Sequence, residues 1–256
     1  MSAILASADS GARPVNGLVA DTITFSNVDG PGNRFVVFLQ GCNFDCLACH
    51  NPQTIPGHGV VDGHAPRRVS VNELLVRIRA AAPFLRGVTV SGGEPTQQAA
   101  FVHELFTAIK ADPALARLGC FVDSNGACEL EVWESLAPVM DGAMIDLKCL
   151  DPQVHEALTG HSNDRVLAGI RLLHDLGLLY EVRVLVLAGL NDDHDLMRRT
   201  AEWLAAVDPC MRVKLIGFRD HGARPHNPPL VEPDPAELES IAAQFRDIAP
   251  FELHVV

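Results

Sequence analysis

The stretch Arg34-Phe-Val-Val-Phe-Leu-Gln-Gly-Cys-Asn-Phe-Asp-Cys-Leu-Ala-Cys-His-Asn-Pro52 holds the information that decides the fold. Its first seven residues, Arg34–Gln40, are dense in β-branched and aromatic side chains and predict a buried strand. Directly after it come Cys42, Cys46 and Cys49, spaced C-x3-C-x2-C, with no fourth cysteine nearby. The thiols therefore sit on a loop at the C-terminal end of a strand.

Outward from this segment, short apolar runs alternate with amphipathic ones. Further strands are expected at Gly87–Ser91, Cys120–Ser124, Gly142–Leu147, Glu181–Leu187 and Arg212–Gly217. Ser70-Val-Asn-Glu73 and Asp234-Pro-Ala-Glu237 read as capping boxes opening helices, the second with Pro235 at the first helical position. Phe101, Leu105 and Ile109 repeat at helical spacing, as do Leu196, Trp203, Leu204 and Val207. Strands alternating with helices indicate parallel β-α units. About six are visible, too few for an eight-fold closed barrel. The expected fold is α/β, a partial TIM-type (β/α)6 barrel or an open sheet, with function at the C-terminal ends of the strands. Residues 1–19 read as an N-terminal tail and 20–256 as one domain. Gly57–Arg68, with three glycines and two histidines, reads as a loop.

Composition narrows the partners. Lys+Arg number 20 and Asp+Glu 32, a formal net charge of -12 over 256 residues. Such a polyanion repels phosphate backbones, so charge-driven nucleic-acid binding is not expected. No apolar run reaches the roughly 18 residues of a spanning helix, so no membrane is expected either. No basic region followed by an apolar one opens the chain, and the expected location is the cytoplasm. The seven cysteines are an odd number and do not suggest a disulfide framework. Cys120, Cys128, Cys149 and Cys210 are scattered and read as small buried hydrophobes.

Structural zinc and ordinary ferredoxin-type clusters each take four ligands. Three thiolates on one loop can hold three irons of a 4Fe–4S cluster and leave the fourth iron open to a ligand. Two other readings stand beside this one. Cys46-Leu-Ala-Cys49 alone could be a thioredoxin-like redox pair, and His50 could complete a zinc site. Neither accounts for Cys42.

The cysteine spacing after the first strand resembles the radical S-adenosylmethionine (SAM) enzymes. The surrounding text is similar to one subgroup, the glycyl-radical-enzyme activating enzymes. Val28-Asp-Gly-Pro-Gly32, Phe38-Leu-Gln-Gly-Cys42, Cys49-His-Asn-Pro52, Ser91-Gly-Gly-Glu94, Asp123-Ser-Asn-Gly126 and Met144-Ile-Asp-Leu-Lys148 carry the resemblance, in the family's order. It covers roughly residues 20–220, which makes 20–256 a single radical SAM domain.

The resemblance implies one 4Fe–4S cluster on Cys42, Cys46 and Cys49, with SAM on its open iron. The reduced cluster would cleave SAM to methionine and a 5′-deoxyadenosyl radical, which takes a hydrogen atom from a glycine Cα of a partner glycyl radical enzyme. Flavodoxin or ferredoxin would supply the electron. Ala48 and His50 fall beside the SAM adenine, although the family commonly has an aromatic residue where Ala48 stands. Gly92, Gly93 and Glu94 would meet the SAM ammonium. Asp146 and Lys148 share a strand face, and Lys148 would suit the SAM carboxylate or ribose. Arg183 matches a SAM-site arginine, or is a solvated side chain. Arg219 or His221 would lie near the adenine. Asp123, Ser124, Met144 and Asp146 fall on positions that hold a monovalent cation. Asp29 would grip the partner's glycine loop. Taken alone, Gly92-Gly93 is an ordinary turn, Asp123-Ser124 a helix cap, and Lys148–Asp146 a surface ion pair. Asn51–Ser70 contains no cysteine, so a single cluster is expected. His58, His64 and His226 read as loop residues. The alternatives for function are a small-molecule radical SAM enzyme, such as a 7-carboxy-7-deazaguanine synthase, or a non-catalytic zinc or redox module.

Overall fold

The computed structural model describes residues 15–57 and 65–256. His58, His64 and residues 1–14 of the expected tail lie outside the described residues. Nine strands form one sheet: β1 (Asn16–Ser26), β2 (Arg34–Leu39), β3 (Arg67–Ser70), β4 (Gly87–Gly92), β5 (Gly119–Ser124), β6 (Gly142–Leu147), β7 (Leu179–Val186), β8 (Arg212–Gly217) and β9 (Glu252–Val255). Their order is β3-β1-β2-β4-β5-β6-β7-β8-β9. From β2 to β9 every neighbour is parallel, whereas β1 is antiparallel to both β2 and β3.

The helices are α1 (Val71–Ala81), α2 (Ala99–Ala111), α3 (Leu130–Leu136), α4 (Pro152–Thr159), α5 (Asp164–Asp175), α6 (His194–Val207) and α7 (Pro235–Ile248). Each crossover between successive parallel strands contains at least one of them. Strands laid down in sequence with crossovers of one hand place all helices on one face, and the sheet curls around the other. Alternate strand residues, among them Val88, Val122, Ile145, Val184 and Leu215, join Leu74, Leu105, Ile170, Leu204 and Ile241 in one core. The opposite, concave face carries Thr89, Ser91, Asp123, Asp146 and Arg183. This is the partial barrel, with six β-α units and a seventh parallel strand.

Three strands, β1, β3 and β9, are absent from the sequence reading. The chain is already in β1 at Asn16, where Asn16–Val19 pairs with Arg67–Ser70, so residues 16–19 are part of the sheet and not a tail. The end of the Gly57–Arg68 loop likewise belongs to β3. β3 is a four-residue edge strand, and its pairing with β1 spans about fifty residues of chain, a relation that local pattern does not carry. β9 also escapes detection: it has four residues, alternating exposed and half-buried. The helix caps form, with Ser70 accepting from Glu73 N–H at 3.2 Å and Asp234 from Ala236 N–H at 2.7 Å. The reciprocal half of each box does not. Glu73 pairs with Arg67 and Glu237 with His194.

Arg34 closes the floor of the barrel. It is 1% exposed and has no carboxylate partner among the described residues. Its guanidinium donates to Thr89 Oγ1 at 2.5 Å, Val88 O at 2.7 Å, Gly119 O at 2.8 Å and Pro31 O at 3.2 Å, and it lies 4.4 Å from the Phe121 ring centroid. Burial lowers its pKa to about 10, which leaves it charged at neutral pH. Arg34→Met should leave several buried acceptors without a donor and destabilise the fold by about 2–4 kcal/mol. The urea midpoint checks this; a change under about 1 kcal/mol would mean that packing, not hydrogen bonding, holds the floor.

Candidate active site

The loop after β2 is anchored on three sides. Gly41 N–H donates to Thr54 O at 2.8 Å and Cys42 N–H to Ile55 O at 3.0 Å. Asp45 N–H and Leu47 N–H donate to Thr159 O and Leu158 O at the end of α4. Arg224 N–H reaches Cys49 O at 2.8 Å. A short loop with three thiols thus borrows its rigidity from neighbouring backbone. Cys42, Cys46 and Cys49 all line one cavity at the C-terminal ends of the strands. Ser91, Gly92 and Gly93 from β4, Asp123 from β5, and Asp146 and Lys148 from β6 line the same cavity, as do Ala48 and His50.

Burial pushes the Cys42 thiol up to about 12 and the Cys46 thiol to about 11, and raises Cys49 as well. Among the described residues no group of three or more His, Cys, Asp or Glu side chains is placed as the ligands of a single metal ion. A cuboidal cluster spans more than a single ion, and its thiolates stand correspondingly apart. His50 Nε2 meets Arg219 O at 2.8 Å, which fixes the ring at the cavity wall. Three thiols lining one cavity, with no fourth cysteine in its wall, fit a three-cysteine cluster.

Gly92 and Gly93 bring backbone to the cavity wall, and on their other side they pack against the cysteine loop. A Cβ on Gly93 would lie 2.3 Å from Gly41 O and 2.8 Å from Thr54 O. On Gly92, at φ +121°, it would lie 2.2 Å from Leu39 N. The glycines let the end of β4 pack back to back with the cysteine loop, and Gly93 N–H and Glu94 N–H donate to Leu39 O and Gly41 O, each at 2.8 Å. Glu94 does not line the cavity. It is 0% exposed, and its carboxylate accepts from Thr96 N–H and Oγ1, Ser124 Oγ and Asn125 N–H at 2.6–2.9 Å. Burial raises its pKa against those four donors.

The charged residues on the concave face form a chain. Arg183 donates to Asp123 Oδ1 and Glu181 Oε1, each at 2.8 Å, and to the Met144 sulfur at 3.1 Å. Asp123 also accepts from Ser91 Oγ at 2.9 Å. Lys148 pairs with Asp146 at 2.7 Å. Burial opposes charge on Asp146, but Lys148 and Arg183 outweigh it and hold the carboxyl below the usual carboxylate range. Lys148 is raised in turn: burial opposes its charge, and Asp146 and Cys46 outweigh that. The Lys148–Asp146 pair is therefore at the cavity wall, not on the outer surface.

Arg183, Met144, Arg219 and His221 do not line the cavity. Arg183 lies on the concave face, held as described. Met144 is buried against Arg183. The Arg219 side chain turns outward to Glu232 at 3.2 Å, and only its carbonyl serves the site, through His50. His221 is exposed. Ser124 reaches the cavity wall, but its hydroxyl donates to Glu94 and accepts from Gly126 N–H at 2.9 Å. Sequence reading missed Asn125, which lines the cavity beside Cys42. The signal was its place inside Asp123-Ser-Asn-Gly126.

Residues 36–201 match the model of the radical SAM superfamily. A pyruvate formate-lyase-activating enzyme of Streptococcus mutans is 34% identical over 81% of this chain and 80% of its own. The pyruvate formate-lyase 1-activating enzyme of Escherichia coli is 33% identical over 76% and 78%. The chain belongs to the radical SAM superfamily, within the glycyl-radical-enzyme activating enzymes. Enzymes of this family use a 4Fe–4S cluster and SAM. A domain of pyruvate-formate lyase-activating enzyme from Bacteroides vulgatus superposes with a TM-score of 0.55 at 22% identity, covering 66% of this chain and 98% of that one. QueE from Escherichia coli gives 0.59 at 13% identity over 94% of both chains, a likeness of fold alone.

Cys46→Ala should abolish iron retention, measured after anaerobic reconstitution, whereas alanine at Cys120, Cys128, Cys149 or Cys210 should leave it unchanged. Full iron in Cys46→Ala would contradict the assignment. Thiols with pKa values near 11–12 carry their protons at neutral pH, so each metal–thiolate bond releases one and loading should strengthen as pH rises. Gly93→Val should lose iron and SAM binding together, because the added side chain meets the cysteine loop. Loss of SAM binding alone would place Gly93 against the ligand.

Proposed function

We propose that this chain generates a glycyl radical on a partner glycyl radical enzyme. The cluster and SAM supply the hydrogen-abstracting chemistry, and the chain binds, orients and shields them. Cys42, Cys46 and Cys49 hold three irons, leaving the fourth for SAM. Lys148 and Asp146 bracket the methionine end of SAM with one charge of each sign, matching a group that carries both a carboxylate and an ammonium. Ala48 and His50 flank the adenine, with His50 oriented by Arg219 O. Of the four positions expected to hold a monovalent cation, Asp123 is paired with Arg183, Asp146 with Lys148, Ser124 serves Glu94 and Met144 accepts from Arg183, so a cation there would compete with these partners. A flavodoxin or ferredoxin provides the electron, and the setting is an anaerobic cytoplasm.

One observation carries the reading of a protein substrate. The Val28–Gly32 loop lies against the concave face and is tied to the cofactor side of the site. Thr89 Oγ1 donates to Asp29 O at 2.6 Å, and Arg183 reaches Val28 O at 3.4 Å while holding Asp123. Ser26 Oγ donates to Asp29 Oδ2, and Oδ1 has no partner among the described residues. A half-buried carboxylate with a free oxygen suits the N–H groups of an extended peptide. Glycine is the residue whose Cα such a site can reach without hindrance.

Asp29→Asn should depress partner activation about tenfold or more while leaving partner-independent SAM cleavage near wild type. The check is the glycyl-radical signal in electron paramagnetic resonance, run beside 5′-deoxyadenosine quantitation, with a purified glycyl radical enzyme as substrate. Equal loss of both signals would make Asp29 structural. A wild type that turns over a small molecule and never forms a glycyl radical would overturn the reading.

A further inference from the structure

Asn125 follows β5 directly and is 8% exposed. Its amide is oriented without ambiguity. Oδ1 accepts from Ala127 N–H at 2.9 Å, which turns Nδ2 toward the cysteine loop. There Nδ2 donates to Asn43 Oδ1 at 2.8 Å and to Cys42 Sγ at 3.8 Å. Asn43 is fixed in turn by its own Nδ2, which donates to Ala127 O at 3.3 Å. The Asn125 backbone is pinned as well, its N–H donating to Glu94 Oε2 at 2.8 Å. Phe44 N–H reaches the same Cys42 sulfur at 3.4 Å. Among the described residues, Cys42 is the one cysteine of the three whose sulfur meets a side-chain donor.

Hydrogen bonds to cysteinyl sulfur are one of the levers that set a cluster's potential, together with net charge, burial and solvent access. A donor aimed at a thiolate stabilises the state with more negative charge on sulfur, which is the reduced one. The site surrounding Cys42 is otherwise poor in such help. It is buried, and the nearest carboxylate, Glu94, adds negative charge. We propose that Asn125 is a positioning residue that raises the reduction potential of the cluster by donating to Cys42. The inference rests on the three cysteines holding the cluster. Asn125 is thereby assigned to the cluster side of the cavity, while its neighbours Asp123 and Ser124 serve Arg183 and Glu94.

The test is a mediated redox titration of the cluster-loaded enzyme, followed by electron paramagnetic resonance, in wild type, Asn125→Ser and Asn125→Asp. Serine can keep an acceptor for the Ala127 N–H but is too short to reach Cys42. Aspartate keeps the shape and removes the donor. Both variants should retain wild-type iron and shift the midpoint to more negative potential, so that the reduced fraction at a fixed potential falls several-fold. Resonance Raman Fe–S(Cys) bands should shift in the same variants. Wild-type midpoints in both variants with intact clusters would overturn the proposal. So would depleted iron with an unchanged midpoint in the cluster that remains, which would make Asn125 structural. Absence of iron from the wild type would instead overturn the cluster assignment on which the proposal rests.

Discussion

The Glu94 carboxylate, fully buried and accepting four hydrogen bonds, is the constraint on which the site depends. Its backbone N–H donates to Gly41, one residue before Cys42, and its side chain accepts from Ser124 and from Asn125. The ends of β2, β4 and β5 are thereby fixed to one another at the point where the cysteine loop begins. A buried carboxylate is costly unless its acceptor capacity is filled. Here the donors come from two different strand ends, so the filled state exists only when those ends are in register. Cysteine loop, glycine turn and Asn125 are therefore a single unit, though each is remote from the others in sequence.

A second linkage runs lower in the barrel. Arg34 and Thr89 hold the Val28–Gly32 loop from beneath, and Arg183 holds it from the side while also binding Asp123 and Glu181. Charges on the concave face are nearly all matched: Asp146 by Lys148, Asp123 and Glu181 by Arg183, Glu252 by Arg212. The pairs of Arg183 and Lys148 are shielded and hydrogen-bonded and fix geometry more than they add stability, whereas Glu252 beside Arg212 is exposed. The cofactor side and the loop assigned to the partner thus share one arginine, which ties the orientation of one to the other.

Much of this was legible in the sequence because it is local. Buried parallel strands read as continuous apolar runs, and six were located within a residue or two at most ends. The thiol spacing marked the metal-binding loop, and ordered motifs marked the strand ends. What was not legible depends on three-dimensional neighbours. Glu94 looks like part of a ligand-binding motif, and only the fold shows that its ligands are Thr96, Ser124 and Asn125. Gly93 reads as a position where backbone meets a cofactor, and the fold adds that the place of its missing side chain is taken by the Gly41 carbonyl. Arg219 and His221 compete for one place in the linear pattern; the structure shows the side chain of the first turned to Glu232 and its carbonyl used for His50. β3 at the sheet edge and β1 beside it were not read from the sequence, and the pairing between them joins residues far apart in the chain.

The central claim is that this cavity brings a partner's glycine Cα to SAM held beside Cys42, Cys46 and Cys49. The most direct measurement follows the hydrogen atom. A glycyl radical enzyme, produced with α-deuterated glycine, is incubated anaerobically with the reduced, cluster-loaded chain and SAM, and the 5′-deoxyadenosine formed is examined by mass spectrometry. One deuterium per molecule of 5′-deoxyadenosine is the predicted result. Unlabelled 5′-deoxyadenosine, formed at full rate while the partner stays radical-free, would contradict the account.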